Sequence, residues 1–147
     1  MGDLPSAVLF CCTLNAVRSP MAEGLFKRIH GKRIYVDSVG VRPGVVDPFV
    51  VAVMDEIGID VSRHRSKVFE ELDDDSFDVV ISLSPEAQHK AVELTRANAC
   101  EVEFWPTFDP SLVEGSRETR LDAYRAVRDE LMARIRRRFP PLGIARE

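Results

Sequence analysis

Hydrophobic residues recur along the chain at two spacings, and together these predict an alternation of strands and helices. Short apolar runs predict β-strands over residues 7–11, 33–38, 77–83 and 101–105. After each run, apolar residues recur every three or four positions, as on the buried face of a helix. The predicted helices are one that carries Met21, Ala22, Leu25, Phe26 and Ile29 on one face, one from 47 to 58, one from 84 to about 94, and one from 118 to 139.

Capping residues mark where these helices begin and end. Asp47 before Pro48 and Ser84 before Pro85 are typical helix starts, and Gly58 is a typical stop. A chain of 147 residues in which strands and helices alternate predicts a single-domain α/β fold, with a four-stranded parallel sheet covered by helices on both faces. In such folds ligands bind at the carboxyl ends of the strands, so we expect the functional site at that edge.

Composition and charge exclude several classes of protein. Hydrophobic residues make up 45% of the chain and charged residues 30%, which is typical of a globular domain rather than a disordered one. The net charge of −4 argues against a protein that binds nucleic acid. The longest apolar stretch, residues 49–54, is too short to span a membrane, and no secretory signal is recognisable, so we expect a cytoplasmic protein without a membrane partner.

The cysteines indicate thiol chemistry rather than a disulfide framework or a metal site. Cys11, Cys12 and Cys100 are an odd number, which suits a reducing compartment. The three histidines show no ligand spacing relative to the cysteines, so we expect neither a metal ion nor a cofactor. Two basic runs, residues 62–67 and 134–138, are interpreted as solvated segments.

The junction between the first strand and the first helix carries the candidate chemistry. The strand ends at Cys11 and Cys12, and the loop CTLNAVRS leads straight into the helix. Unpaired amides at a helix start point at one place and the helix dipole adds positive potential, so the loop is a candidate anion site. The same amides and Arg18 favour the thiolate form of Cys12, which is the nucleophilic form. The Arg18 guanidinium is suited to hold two oxygens of a tetrahedral anion, and Ser19 to donate to the sulfur.

Several longer stretches resemble the low-molecular-weight protein tyrosine phosphatases and the arsenate reductases that share their fold. VLFCCTLNAVRSPMAEGLF resembles the phosphate-binding loop and first helix of that family, and YVDSVG resembles its second strand. WPTFDPS resembles the segment that carries the family's Asp-Pro general acid, and YRAVRDEL resembles its last helix. The resemblance covers essentially the whole chain and implies the family's fold, with a phosphate-binding loop after the first strand.

The resemblance implies a role for each matching residue. Cys12 is the implied nucleophile, which forms a phosphocysteine, and Arg18 holds the oxyanion. Asp109, which precedes Pro110, is the implied general acid and then the base that activates water, so that no metal is needed. Ser38 is expected to support the loop residue Asn15, with Ser19 beside them. The amides expected to bind phosphate are those of Thr13, Leu14, Asn15, Ala16, Val17 and Arg18.

Three features depart from the family's pattern. Leu14 stands where the family usually has Gly, so the loop would be strained if this position required positive φ, whereas Asn15 tolerates a left-handed backbone. The aromatic residues that line the cleft of the tyrosine phosphatases are missing from residues 39–45 and 111–113. The two additional cysteines of the thioredoxin-coupled arsenate reductases are also missing, and neither Cys11 nor Cys100 is placed to replace them.

These observations leave three hypotheses for function. The first is a cysteine-dependent phosphomonoesterase that acts on phosphorylated proteins or small phosphomonoesters. The second is an arsenate reductase that releases its Cys12 adduct with an external low-molecular-weight thiol, which Thr13 favours. The third is a phosphate-binding signalling module with little turnover, in which Leu14 distorts the loop. In all three, inorganic oxyanions such as phosphate or arsenate are expected ligands.

Overall fold

The molecule is built on one parallel β-sheet of four strands. In the computed structural model, which describes residues 4–72, 76–96 and 100–141, these are β1 (Ala7–Cys12), β2 (Tyr35–Gly40), β3 (Val79–Ser82) and β4 (Glu101–Phe104). Their order across the sheet is β2-β1-β3-β4, and every neighbouring pair is parallel. The predicted α/β fold is confirmed.

Four α-helices connect and cover the strands. They are α1 (Arg18–His30), α2 (Pro48–Asp55), α3 (Pro85–Leu94) and α4 (Arg117–Arg138), and two short 3₁₀ helices lie at Phe69–Glu71 and Pro110–Leu112. The predicted caps of α2 and α3 are present, since Asp47 accepts from the Phe49 amide and Ser84 from the Ala87 amide. None of the described helices is long and apolar enough to cross a membrane.

Both faces of the sheet are buried, as the sequence predicts. Phe10 and Cys12 of β1 face the core formed with α1, α2 and α4, whereas Leu9 and Cys11 face the smaller core that includes residues of α3. The alternation follows from the strand period of two. It places the two neighbouring cysteines on opposite faces of the sheet.

The predicted strand boundaries differ from the observed ones by one or two residues at one or both ends of each strand. β1 runs one residue further than predicted, to Cys12, because Cys12 is paired with Gly40 at the end of β2. The predicted strand at 33–38 is therefore shifted to Tyr35–Gly40. Cys12, Gly40, Ser82 and Phe104 end the four strands at one edge of the sheet, which brings the loops that follow them together.

Candidate active site

Cys12 lies at the base of the phosphate loop, which we define as residues 12–18. Its side chain is buried, and its Sγ is 2.9 Å from Ser19 Oγ. Ser19 Oγ already accepts a hydrogen bond from Asn15 Nδ2 at 2.8 Å, so its own proton is free to point at the sulfur. The Ser19 hydroxyl is therefore placed to donate to Cys12.

Asn15 holds the shape of the phosphate loop. Its φ of 55° lies in the left-handed region, which Asn tolerates better than other residues with a side chain. Its Nδ2 donates to Ser19 and, at 2.9 Å, to Ser38, while its Oδ1 accepts from the Lys67 amide at 2.9 Å and from His64 Nε2 at 3.0 Å. All four hydrogen-bonding positions of the buried amide side chain are therefore used.

A second layer of polar residues holds Asn15 from behind. Ser38 donates to Glu23 at 2.5 Å, and Lys67 Nζ donates to Asp37 at 2.5 Å. Burial lowers the pKa of His64, and the nearby charge of Glu23 opposes that shift. The interpretation of residues 62–67 as a solvated segment is therefore wrong for His64 and Lys67, because the His64 ring and the Lys67 backbone amide both bond to the side-chain oxygen Oδ1 of Asn15.

The amides of the phosphate loop are available to a ligand. Within the described part of the chain, no protein atom accepts a hydrogen bond from the amides of residues 13–17. Leu14 does not need positive φ, since Asn15 is the one described non-glycine residue with that conformation. The expected strain at Leu14 is therefore absent, and its carbonyl accepts from Ser66 Oγ at 2.9 Å.

Gly40 makes room for the loop, and the sequence analysis did not single it out. A Cβ atom at this position would lie 2.6 Å from the Asn15 amide nitrogen and 2.7 Å from the Leu14 carbonyl carbon. Both atoms belong to the loop backbone, so a side chain at position 40 would displace the loop itself.

Arg18 joins the phosphate loop to the acid loop, which we define as residues 105–113. It is the first residue of α1 and is largely buried. Its Nη1 donates to the Thr107 carbonyl at 3.0 Å, and its Nη2 lies 3.9 Å from Asp109 Oδ2. The guanidinium therefore stands between Cys12's loop and the predicted general acid.

Asp109 is held in an extended conformation before Pro110, as the Asp-Pro pair predicts. Its Oδ1 accepts from the Ser111 amide at 3.0 Å and from Ser111 Oγ at 2.7 Å, which leaves Oδ2 on the side of Arg18. Phe108 and Leu112 beside it are exposed, whereas Trp105 is buried. The acid loop thus presents one aromatic side chain, Phe108, at the surface.

Tyr124 of α4 connects this helix to the phosphate loop. Its hydroxyl donates to Asp47 Oδ2 at 2.7 Å, and the Asp47 amide donates to the Ala16 carbonyl at 3.0 Å. Burial, followed by the hydrogen bond to Asp47, raises the pKa of Tyr124 far above its ordinary value, so the residue stays a neutral donor. No sequence motif indicated this link.

The other two cysteines lie away from Cys12. Cys11 Sγ points to the opposite face of the sheet, 3.6 Å from the Ile81 carbonyl, and burial raises the pKa of this thiol. Cys100 precedes β4 and lies near the level of Ala7, because Glu101 is in register with Val79 and Val8. Measured along the strand direction, Cys100 and Cys12 are therefore five residues apart, which is about 16 Å at roughly 3.3 Å per residue. A disulfide needs Cα atoms within about 7 Å.

A buried cysteine at the start of a loop whose amides have no protein acceptor among the described residues, with an arginine and an aspartate close by, makes this a candidate oxyanion site with Cys12 as the candidate nucleophile. The family described as low molecular weight phosphotyrosine protein phosphatase matches residues 7–142. The chain belongs to this family.

Curated relatives match over most of their length. An arsenate reductase of Shouchella clausii is 35% identical over 130 residues, which are 88% of this chain and 92% of the relative. A glutaredoxin arsenate reductase of Synechocystis sp. is 34% identical over 128 residues, 87% of this chain and 92% of the relative.

Solved structures of both kinds of enzyme share the fold. An arsenate reductase in its oxidized state superposes with a TM-score of 0.75 at 31% identity, covering 90% of this chain and 95% of that one. The arginine phosphatase YwlE, in a mutant with a phosphorylated active-site serine, superposes with a TM-score of 0.72 at 29% identity, covering 88% and 91%.

Proposed function

We propose that this protein is a phosphomonoesterase that uses Cys12 as a covalent nucleophile. The observation that carries the proposal is the position of Cys12 Sγ, which lies 2.9 Å from Ser19 Oγ at the start of a loop whose amides have no protein acceptor among the described residues. That arrangement stabilises a thiolate and a tetrahedral oxyanion at neighbouring points. The phosphatase YwlE supports it, since a mutant of that relative carries phosphate on an active-site serine.

In the first step, the Cys12 thiolate attacks the phosphorus atom and the bond to the leaving oxygen breaks. The amides of residues 13–18 and the Arg18 guanidinium hold the three equatorial oxygens as charge develops. Asp109 donates a proton to the leaving oxygen, which departs as an alcohol or phenol. The product of this step is a phosphocysteine.

In the second step, water hydrolyses the phosphocysteine. Asp109 is now ionised and takes a proton from the attacking water, and the Cys12 thiolate leaves with its electron pair. Inorganic phosphate is released and both residues return to their starting states. One carboxyl group thus serves both half-reactions.

Arsenate reduction is the second candidate, because curated relatives at 34–35% identity carry that name. In this reaction Cys12 would form a thiolate adduct with arsenate, and an external thiol would attack its sulfur, releasing arsenite and leaving a mixed disulfide. A second external thiol would then regenerate Cys12. Two thiols supply the two electrons, so no second protein cysteine is needed.

Reduction through a protein disulfide is disfavoured by the cysteine positions. Cys11 faces the other side of the sheet and Cys100 lies near its opposite edge. We therefore expect no arsenate turnover when thioredoxin and its reductase are the sole reductant. If arsenate turnover did occur under those conditions and were lost in Cys100→Ser, the Cys100 thiol would be shown to reach Cys12 after a rearrangement.

The test is a parallel assay of wild type and Cys12→Ala with an aryl phosphate and with arsenate plus glutathione. We expect wild type to hydrolyse the aryl phosphate without any thiol, and Cys12→Ala to lose this activity. Arsenate reduction with glutathione but no phosphate hydrolysis would establish the second candidate instead. Tight phosphate binding without either activity would support the third hypothesis, a phosphate-binding signalling module.

A further inference from the structure

Two arginines at the start of α4 stack on one aromatic ring. The guanidinium carbon of Arg120 lies 4.5 Å from the centre of the Phe49 ring, and that of Arg117 lies 5.4 Å from it. Arg117 is exposed, and Arg120 and Phe49 are half-buried. Within the described residues, no carboxylate lies within ion-pair distance of either guanidinium, so neither arginine is held in an ion pair.

This arginine pair, Arg117 and Arg120, lies beside the candidate active site. Phe49 follows Asp47, whose amide donates to the Ala16 carbonyl in the phosphate loop at 3.0 Å. The Phe49 ring also packs edge-on against Tyr124 at 5.2 Å. In addition, α4 packs against the 3₁₀ helix Pro110–Leu112, which Asp109 caps. Phe49 therefore links the pair to the phosphate loop through Asp47, and α4 itself packs against the acid loop.

The placement is costly for stability. The first turn of a helix disfavours cations because the helix dipole is positive there, and two like charges on one ring also repel each other. Arg125 of the same helix, by contrast, is paired with Glu56 and Glu118. Glu118, in the same first turn, bonds to Arg125 at 2.7 Å rather than to the arginine pair. Residues that break a local rule of this kind are often functional, and a positive charge placed near the candidate active site is suited to bind an anion.

We propose that Arg117 and Arg120 recognise a carboxylate close to the scissile phosphoryl group, so that the substrates are phosphorylated protein segments with acidic neighbours. The inference rests on the proposed phosphatase function and names the substrate class of that site. A guanidinium matches a carboxylate with two parallel hydrogen bonds, and stacking on Phe49 orients both groups before binding.

The test compares phosphotyrosine peptides that carry two Glu residues beside the phosphotyrosine with otherwise identical peptides that carry two Gln residues. Affinities are measured by fluorescence anisotropy on Cys12→Ala, which binds without turnover. We expect the Glu peptide to bind about fivefold more tightly, from two partly exposed ion pairs. Arg117→Ala with Arg120→Ala should bring the ratio close to one.

A matched control removes two arginines from the other end of the same helix. Arg136→Ala with Arg137→Ala makes the same change in net charge about 28 Å away, at roughly 1.5 Å per residue. This control should keep the fivefold ratio. Three results would overturn the proposal. The two peptides could bind wild-type arginine sites with equal affinity, the Glu-to-Gln affinity ratio could survive loss of the arginine pair, or the control could lose that ratio to the same extent. A separate assay of aryl phosphate hydrolysis by wild type tests the phosphatase function. Failure of the proposed phosphatase function can therefore be distinguished from failure of the proposed carboxylate recognition.

Discussion

At the scale of single residues, Asn15 combines a backbone conformation and a set of hydrogen bonds that no other residue supplies together. Its φ is 55°, and its side chain makes four hydrogen bonds to Ser19, Ser38, His64 and Lys67. Glycine would keep the conformation but lose the bonds, while alanine would lose both. The two substitutions therefore separate the two contributions.

Asn15→Gly should lower the free energy of unfolding by about 4 kcal/mol, since the four lost hydrogen bonds contribute about 1 kcal/mol each. Asn15→Ala should be less stable than Asn15→Gly by about 1 kcal/mol, because the left-handed region is strained for alanine. Urea unfolding of the two variants measures both differences. If the alanine variant were as stable as the glycine variant, the left-handed conformation of residue 15 would not contribute to stability as proposed.

Asp109 is the residue whose proposed role depends on the substrate. An amide cannot donate the proton that a poor leaving group needs, so Asp109→Asn should slow hydrolysis most for alkyl phosphates and least for activated aryl phosphates. Rates across a series of leaving groups should fall more steeply with leaving-group pKa in the variant than in wild type. Parallel lines for the two proteins would show that Asp109 is not the acid.

At the scale of elements, the end of β2 sets the position of the phosphate loop. Gly40→Ala should weaken phosphate binding by about tenfold or more, because its Cβ would lie 2.6 Å from the Asn15 amide and the loop donors must shift. Titration calorimetry with inorganic phosphate measures this change. Gly31→Ala is the control: φ at Gly31 is 62° and a Cβ meets nothing within 4 Å, so it should cost stability without changing phosphate affinity.

The elements that local sequence specifies were predicted well, and those set by tertiary contacts were not. The strand-loop-helix unit around Cys12 and the caps at Asp47 and Ser84 follow from patterns within a few residues. The bonds from His64 and Lys67 to Asn15 join residues 49 and 52 positions apart, which no local pattern reveals. The sequence left open whether Leu14 needs positive φ, because family resemblance indicates which residue is usual there but not its backbone conformation; the left-handed conformation is that of Asn15, the residue suited to it.

At the scale of the whole molecule, His30 links the fold to pH. It is buried where α1 meets the end of α4, its Nε2 donates to the Phe139 carbonyl at 2.9 Å, and its Nδ1 has no partner among the described residues. Burial lowers the pKa of His30 from its ordinary value of 6.5. Below about pH 6.5 the unfolded chain therefore binds a proton that the folded chain does not, and the free energy of unfolding decreases as pH falls through this range.

His30→Gln should reduce this decrease between pH 7 and pH 5, although the variant is less stable than wild type at pH 8. His89→Gln is the control for removal of a histidine side chain, because His89 is exposed. Urea unfolding at each pH gives the slopes. The same slope in wild type and His30→Gln would show that His30 does not carry the effect.

The central claim is that Cys12 carries the phosphoryl group during turnover, and the most direct measurement is the mass of the enzyme quenched in acid during hydrolysis of an aryl phosphate. We expect a fraction of the wild-type enzyme to gain the mass of one phosphoryl group, and fragmentation to place that group on Cys12 rather than Cys11. Cys12→Ala should show neither the adduct nor activity. Steady hydrolysis by Cys12→Ala, or an adduct on another residue, would contradict the central claim.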